Sequence, residues 1–273
     1  MKSIKGGTRT LGRGLDILEL LASAPRPMGV TELSEQLGLD KSTVHRLLTT
    51  LVKRGYARQE PQSRSYALGA QTLVLYDAFQ SQMGLLQICH PLLEELTERT
   101  GETSHLAVLS GINIVFLDWV CTPQVMGVRT VVGRSEPAHC TALGKAILAK
   151  LPAKQKENIL NQVSLHAYTD KTPTTKTEIE ADLRICAERG WALDNEEFLP
   201  SVRCLASPIY DCTGQPVAAL GISGPASRLP LANCKKIGME VHSIALRASQ
   251  LLGYIEHNTK HTSPPKPNAI AVS

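Results

Sequence analysis

Long apolar runs are missing. No window of the 273 residues approaches the ~18 consecutive apolar positions that a membrane-spanning helix needs. The basic start, Met1-Lys2-Ser3-Ile4-Lys5-Gly6-Gly7, has no apolar stretch behind it, so no secretory signal is expected. C-x-x-C pairs are missing too. The seven cysteines, at 89, 121, 140, 186, 204, 212 and 234, are odd in number and far apart, which speaks against a disulfide framework or a structural zinc site. Reduced thiols in the cytoplasm are the expectation. H-E-x-x-H, G-x-S-x-G and G-x-x-x-x-G-K-[ST] do not occur, which removes the common signatures of zinc peptidases, serine hydrolases and phosphate loops. Aromatics are few (3 Phe, 2 Trp and 6 Tyr), an argument against an aromatic-lined ligand cage.

The remainder is the composition of an ordinary globular chain, 42% hydrophobic and 20% charged, long enough for two domains. Charge is divided unevenly. Residues 1–69 hold 11 Lys and Arg against 6 Asp and Glu, a net of +5, whereas residues 70–273 hold 18 against 19, a net of −1. A basic head on a near-neutral body implies two kinds of partner.

In the head, Leu15, Leu18, Leu21 and Ala22 recur at helical spacing over 14–22, and Pro25 and Pro27 close the helix. A second helix is expected over 31–37, with Thr31 as N-cap and Gly38 as a left-handed stop. Asp40 then caps a third helix over 41–54, in which Val44, Leu47, Leu48 and Leu51 make one apolar stripe. Lys41, Ser42, Thr43, His45, Arg46, Thr49 and Lys53 are the polar candidates on that helix. Two helices joined by a three-residue turn with glycine form a helix-turn-helix, whose second member enters the DNA major groove. Tyr56–Gln59 and Ser65–Leu68 flank a polar turn and read as a β-hairpin wing, with Arg58 and Arg64 beside the phosphate backbone. The same arrangement also serves as a small protein-interaction domain with a solvated polar face.

A linker helix is expected over 70–90, then a body over 91–257 and a tail over 258–273. PLLEELTERTG begins with Pro91 at a first helical position. Strands are expected over 104–109, 114–120, 125–131, 202–210 and 216–223, and helices over 142–150, 153–160, 176–189 and 232–252. Strands in two groups with helices between and after them indicate an α+β antiparallel-sheet domain. The turn before Ala142 feeds a helix N-terminus, a natural place for a carboxylate. Asp194 ends a short apolar run, suited to a ligand hydroxyl or to a turn. Glu196 and Glu197 read as solvent-facing or turn residues.

The stretch LGRGLDILELLAS…VTELSEQLGLDKSTVHRLLTTLVKRGYARQ…YALG resembles the N-terminal domain of the IclR family of bacterial transcription regulators, and the likeness continues to about residue 252. The resemblance implies a winged helix-turn-helix, a linker helix and a GAF-like or profilin-like effector domain. It also implies a cytoplasmic homodimer or dimer of dimers on palindromic operator DNA, answering to a small carboxylate or aromatic catabolite, with no cofactor and no metal. Carried over by position, its effector pocket uses Ala142 and Leu143 for backbone contacts and Asp194 for a hydroxyl or hydrate. Val202 and Cys204 lie on one strand, Gly221 and Ser223 on the next, and Met126 and Val128 are apolar walls. Ser201 stands where the family often has Gly, Gly221 offers no hydroxyl, and Arg203 points to the opposite sheet face by strand alternation.

The enzymatic alternative places a nucleophilic Cys140 at a helix N-terminus near His139 or His105. A metal site using Cys140, Cys204 and a histidine is a further alternative.

Overall fold

The structure, a computed structural model, describes residues 9–75, 78 and 84–255. The chain divides between Gly84 and Leu85 into two compact units. The first holds α1 (Arg9–Ser23), α2 (Val30–Leu37), α3 (Lys41–Lys53), β1 (Ala57–Gln59) and β2 (Tyr66–Leu68). The expected stripe is its core: Val44, Leu47 and Leu48 pack with Ile17, Leu21 and Leu33. Helix α1 starts five residues before the expected Gly14, so that Gly12 and Gly14 lie inside it, where a Cβ on either would meet open space. Helix α2 also starts early. The Gly29 carbonyl already accepts from Leu33 N–H at 3.1 Å, which makes Gly29 the cap and puts Thr31 inside the first turn. Gly38 closes α2 at φ 62°, as its left-handed role requires. The wing pairs antiparallel, Ala57 opposite Leu68, and Tyr66 exchanges two backbone hydrogen bonds with Met28.

Of the expected linker, residues 76, 77 and 79–83 lie outside the described residues, as does the expected tail. Residues 85–90 are no linker. They open α4 (Leu85–Thr100), which buries Leu85 and Cys89 in the second unit. Pro91 sits inside α4 rather than at its start, at the cost of one backbone hydrogen bond.

The second unit is built on one six-stranded antiparallel sheet in the order β5-β4-β3-β8-β7-β6. Its strands are β3 (Thr103–Ser110), β4 (Asn113–Val120), β5 (Ser135–Pro137), β6 (Ala192–Asn195), β7 (Val202–Tyr210) and β8 (Pro216–Pro225). The strand expected over 125–131 is absent, and the chain runs irregularly from 121 to 134. Val125, Met126 and Val131 are exposed there and only Val128 is half-buried, so no apolar face supports a strand. Helices α5 (Ala142–Lys150), α6 (Ala153–Leu160) and α7 (Lys176–Arg189) keep the expected bounds, and α8 (Leu231–Leu251) ends the unit.

Strand alternation assigns the two faces. Ala107, Phe116, Ala206 and Ala219 pack under α5 and α7. Ser104 donates to the Leu93 carbonyl of α4, and Ser207 meets His242 of α8, on the other face. Small residues beneath α5 let that helix lie close. A Cβ on Gly144 would fall 2.2 Å from the Ala138 carbonyl oxygen.

Candidate functional site

Two places in the chain gather unusual chemistry, one in each unit. In the first, the Asp40 carboxylate accepts from Thr43 N–H at 2.8 Å, capping α3 as its position predicts. It also accepts the hydroxyls of Ser42 at 2.5 Å and Thr43 at 2.7 Å. These hydrogen bonds hold the carboxyl well below the usual range. Ser42 and Thr43 therefore point their hydroxyl hydrogens back at the cap, not outward. Thr49 likewise donates to the His45 carbonyl at 2.8 Å. Arg58 pairs with Glu60 two residues further along the chain, which neutralises one of the two expected wing cations.

Lys41, His45, Arg46, Lys53 and Arg64 are exposed and form no ion pair among the described residues. Four of the five lie along one helix. Donors without carboxylates, projecting from a capped helix that follows a glycine turn, are what a polyanion with acceptor-rich groove edges requires. Arg64 sits at the wing tip with φ 53°.

In the second unit, a cavity of about 60 Å³ lies between the sheet, the start of α5 and the 121–134 segment. One water needs ~10–15 Å³, so a small organic molecule fits. Ala142, Leu143, Asp194, Val202, Cys204, Gly221, Ser223 and Val128 all line it. Strand register explains part of this convergence. Asp194 stands opposite Cys204, and Cys204 opposite Ser223, so the three form one row across β6, β7 and β8. Met126 is not part of this cavity. It is 71% exposed and borders a separate open cleft, because the 121–134 segment is not a strand and does not turn it inward.

The floor of the cavity is electrostatically loaded. Asp194 Oδ1 accepts from Glu197 N–H at 2.7 Å, and burial, reinforced by Glu197, pushes the Asp194 carboxyl up to about 7. Of the two places expected for Glu197, it takes the turn after β6 and is buried rather than solvent-facing. It binds the fully buried Lys145 Nζ with both oxygens at 2.7 Å. Asp182 takes the same ammonium at 2.6 Å. Burial alone would lower the Lys145 pKa, but Glu197 and Asp182 outweigh it and keep the group charged. Glu196 and Ser201 both adopt left-handed φ, 64° and 61°, and so bend the loop that presents Phe198 and Leu199 to the cavity. The conformation at Ser201 is one glycine adopts freely. Arg203 leaves Cys204 on the cavity face and turns to the opposite one, where it bonds Asn195 and the Ala226 and Leu229 carbonyls.

Thr141 precedes α5 without a side-chain cap, its hydroxyl donating to Pro137 O instead. Ala142 and Leu143, the first residues of α5, line the cavity at the positive end of the helix. Cys140 is fully buried, and burial pushes its thiol well above the ordinary value, the reverse of an activated nucleophile. His105, Phe116 and Thr130 line the cavity too, and the spacing arguments missed them as lining residues. The alternation of β3 that turns Ala107 inward is the signal that places His105 there.

Residues 10–61 match the IclR helix-turn-helix domain, and residues 78–250 match the bacterial transcriptional regulator IclR C-terminal domain. The chain is 37% identical over 252 residues to the acetate operon repressor of Salmonella typhimurium, covering 92% of each. It is 38% identical over 226 residues to the transcriptional repressor IclR of Escherichia coli, covering 82% of each. Among solved structures, the Thermotoga maritima IclR is similar with a TM-score of 0.70 at 28% identity, over 90% of this chain and 99% of that one.

Proposed function

Because the chain belongs to the IclR family of bacterial transcription regulators, with a helix-turn-helix unit for DNA and a C-terminal effector unit, we propose how its own residues divide that work. Helix α3 reads operator bases through Lys41, His45 and Arg46, while Lys53 and Arg64 meet phosphates. The protein works in the cytoplasm as a homodimer or dimer of dimers on a palindromic operator, since two-fold protein symmetry calls for matched half-sites. Its effector is a small carboxylate held at the α5 N-terminus by Ala142 and Leu143 N–H, with Asp194, Cys204 and Ser223 around it. Catalysis has no place in this reading.

The observation that carries it is the meeting, in one cavity, of an uncapped helix N-terminus with the cross-strand row Asp194, Cys204 and Ser223. The test is fluorescence anisotropy on an operator selected from random duplex sequence, with small acids as effectors. Arg46→Ala weakens operator binding by about 1–3 kcal/mol and leaves folding intact. Asp194→Ala abolishes the effector response and preserves DNA binding. Unchanged binding by the first variant, or a full effector response by the second, refutes the corresponding assignment.

A further inference from the structure

Glu197 and Asp182 exhaust the one ammonium buried beside the effector cavity. An ammonium has three N–H donors. The Lys145 group sits 2.6 Å from Asp182 Oδ2 and 2.7 Å from both Glu197 oxygens, which leaves no donor for another acid. Asp194, only 2% exposed, is the third carboxyl of the cluster and forms no ion pair among the described residues. Its Oδ1 accepts from the Glu197 backbone N–H at 2.7 Å, a contact that brings two acids together and no counter-charge. A carboxyl buried without a cation, next to a carboxylate, favours its protonated form.

The other groups around Asp194 do not supply the missing charge. Cys204 stands opposite it on β7 and Cys140 precedes α5, and burial raises both thiols and keeps them neutral. His105 of β3 lines the same cavity, where burial lowers its imidazole to about 4, so it is neutral near pH 7. Glu136 of β5 lines it as well and is paired with Arg134 at 3.1 Å. Arg129, from the 121–134 segment, is exposed, so solvent screens its charge. The Asp194 carboxyl accordingly lies at about 7.

We propose that Asp194 meets the effector as a carboxylic acid, with Glu197 as the positioning residue that keeps it so by claiming the Lys145 ammonium, and that above neutral pH each anionic effector bound brings one proton from solvent onto Asp194. The inference rests on the carboxylate reading of the α5 end given above and adds a proton to it. A cavity of about 60 Å³ holds the ligand carboxylate close to Asp194, and two carboxylates sharing so small a site do not both stay ionised. The protonated acid also offers an O–H that donates to a ligand oxygen, which a carboxylate lacks.

Calorimetric titration of the full chain tests it, with sodium propionate, lactate, pyruvate and benzoate as probes. All four stay ionised above about pH 6, so a change in protonation on binding belongs to the protein. The tightest binder is titrated in phosphate and in Tris, whose ionisation enthalpies differ. At about pH 8 the wild type takes up close to one proton per acid bound, and its Kd rises about five- to tenfold per pH unit between about 7 and 9. Asp194→Asn, isosteric with the neutral acid, takes up almost no proton, and its Kd changes less than about twofold over the same range. Glu197→Gln frees Lys145 donors for Asp194 and removes the neighbouring charge, so the rise in Kd begins about one pH unit lower; a merely structural defect weakens binding equally at every pH. This second variant carries the test should Asp194→Asn fail to fold. A wild type that binds without proton uptake, an Asp194→Asn variant with full uptake, or an unmoved Glu197→Gln profile overturns the inference and leaves the carboxylate reading standing. Failure of all four acids to bind overturns the carboxylate reading itself, and this inference with it.

Discussion

Asp194 and His105 share a cavity, and burial pushes them in opposite directions. The carboxyl rises from 3.8 to about 7 and the imidazole falls from 6.5 to about 4, so both favour their neutral forms. The linkage signs therefore oppose one another. Between about pH 4 and 7 the folded state keeps a proton on Asp194 that the unfolded chain has lost. Its contribution to stability is complete below the unfolded value and disappears as pH rises through 7. Between 6.5 and 4 the unfolded chain binds a proton at His105 that the folded state refuses, so that contribution is lost on acidification. Lys145 stays charged in both states across this window and adds no slope. Asp194→Asn removes the first effect and can keep the bond from Glu197 N–H through its amide oxygen. Urea unfolding at several pH values then shows the variant gaining stability relative to wild type as pH rises from about 4 to 7. The gain is up to about 1.4 kcal/mol per pH unit, with a flat difference above 7. A difference independent of pH means that Asp194 is ionised throughout.

Helix α5 keeps its expected bounds, yet its most consequential residue is the least legible. Its bounds follow from apolar spacing and the polar turn before it. Nothing in the sequence near Lys145 says that the lysine is fully buried, because its partners come from Asp182 on α7 and Glu197 after β6, 37 and 52 positions away. Such non-local pairing leaves no periodic trace. The same limit explains the 121–134 segment, whose β-prone residues read as a strand although the sheet offers them no partner. It explains Glu196 and Glu197 as well, since adjacent acids after a strand look solvated until a buried cation is found to meet one of them. In the first unit every decisive signal is local (the Asp40 cap, the Gly38 turn, the α3 stripe), and there the reading differs from the structure by five residues at the start of α1 and by single residues at other element ends. Lys145→Met tests how strongly α5 depends on distant partners. It strands two carboxylates against an apolar side chain and destabilises the second unit by about 3–5 kcal/mol in chemical unfolding. Combining it with Glu197→Gln recovers a substantial part of that loss, since the remaining buried group no longer carries charge. A single variant as stable as wild type contradicts a structural role for the triad.

At the scale of the whole chain, the net charge of +4 separates into a head of +5 and a body of −1, so DNA affinity and effector affinity belong to different units. A regulator needs them coupled. An effector shifts operator binding only if it binds the DNA-competent and DNA-incompetent arrangements with different affinity, however tightly it binds either. The coupling is reciprocal: if an acid changes operator affinity by some factor, operator DNA changes the affinity for that acid by the same factor, typically about 5- to 150-fold. Anisotropy with and without saturating acid measures one ratio. Calorimetry of the same acid with and without operator fragment measures the other, on the same full-length protein at the same salt, because phosphate contacts make operator affinity steeply salt-dependent. The two ratios agree whenever both experiments follow the same acid site, whatever the route that links the α3 face to it. A large effect of acid on operator binding with no return effect on acid binding shows that the acid acts elsewhere than in the cavity being titrated, and it removes the cavity from the switch.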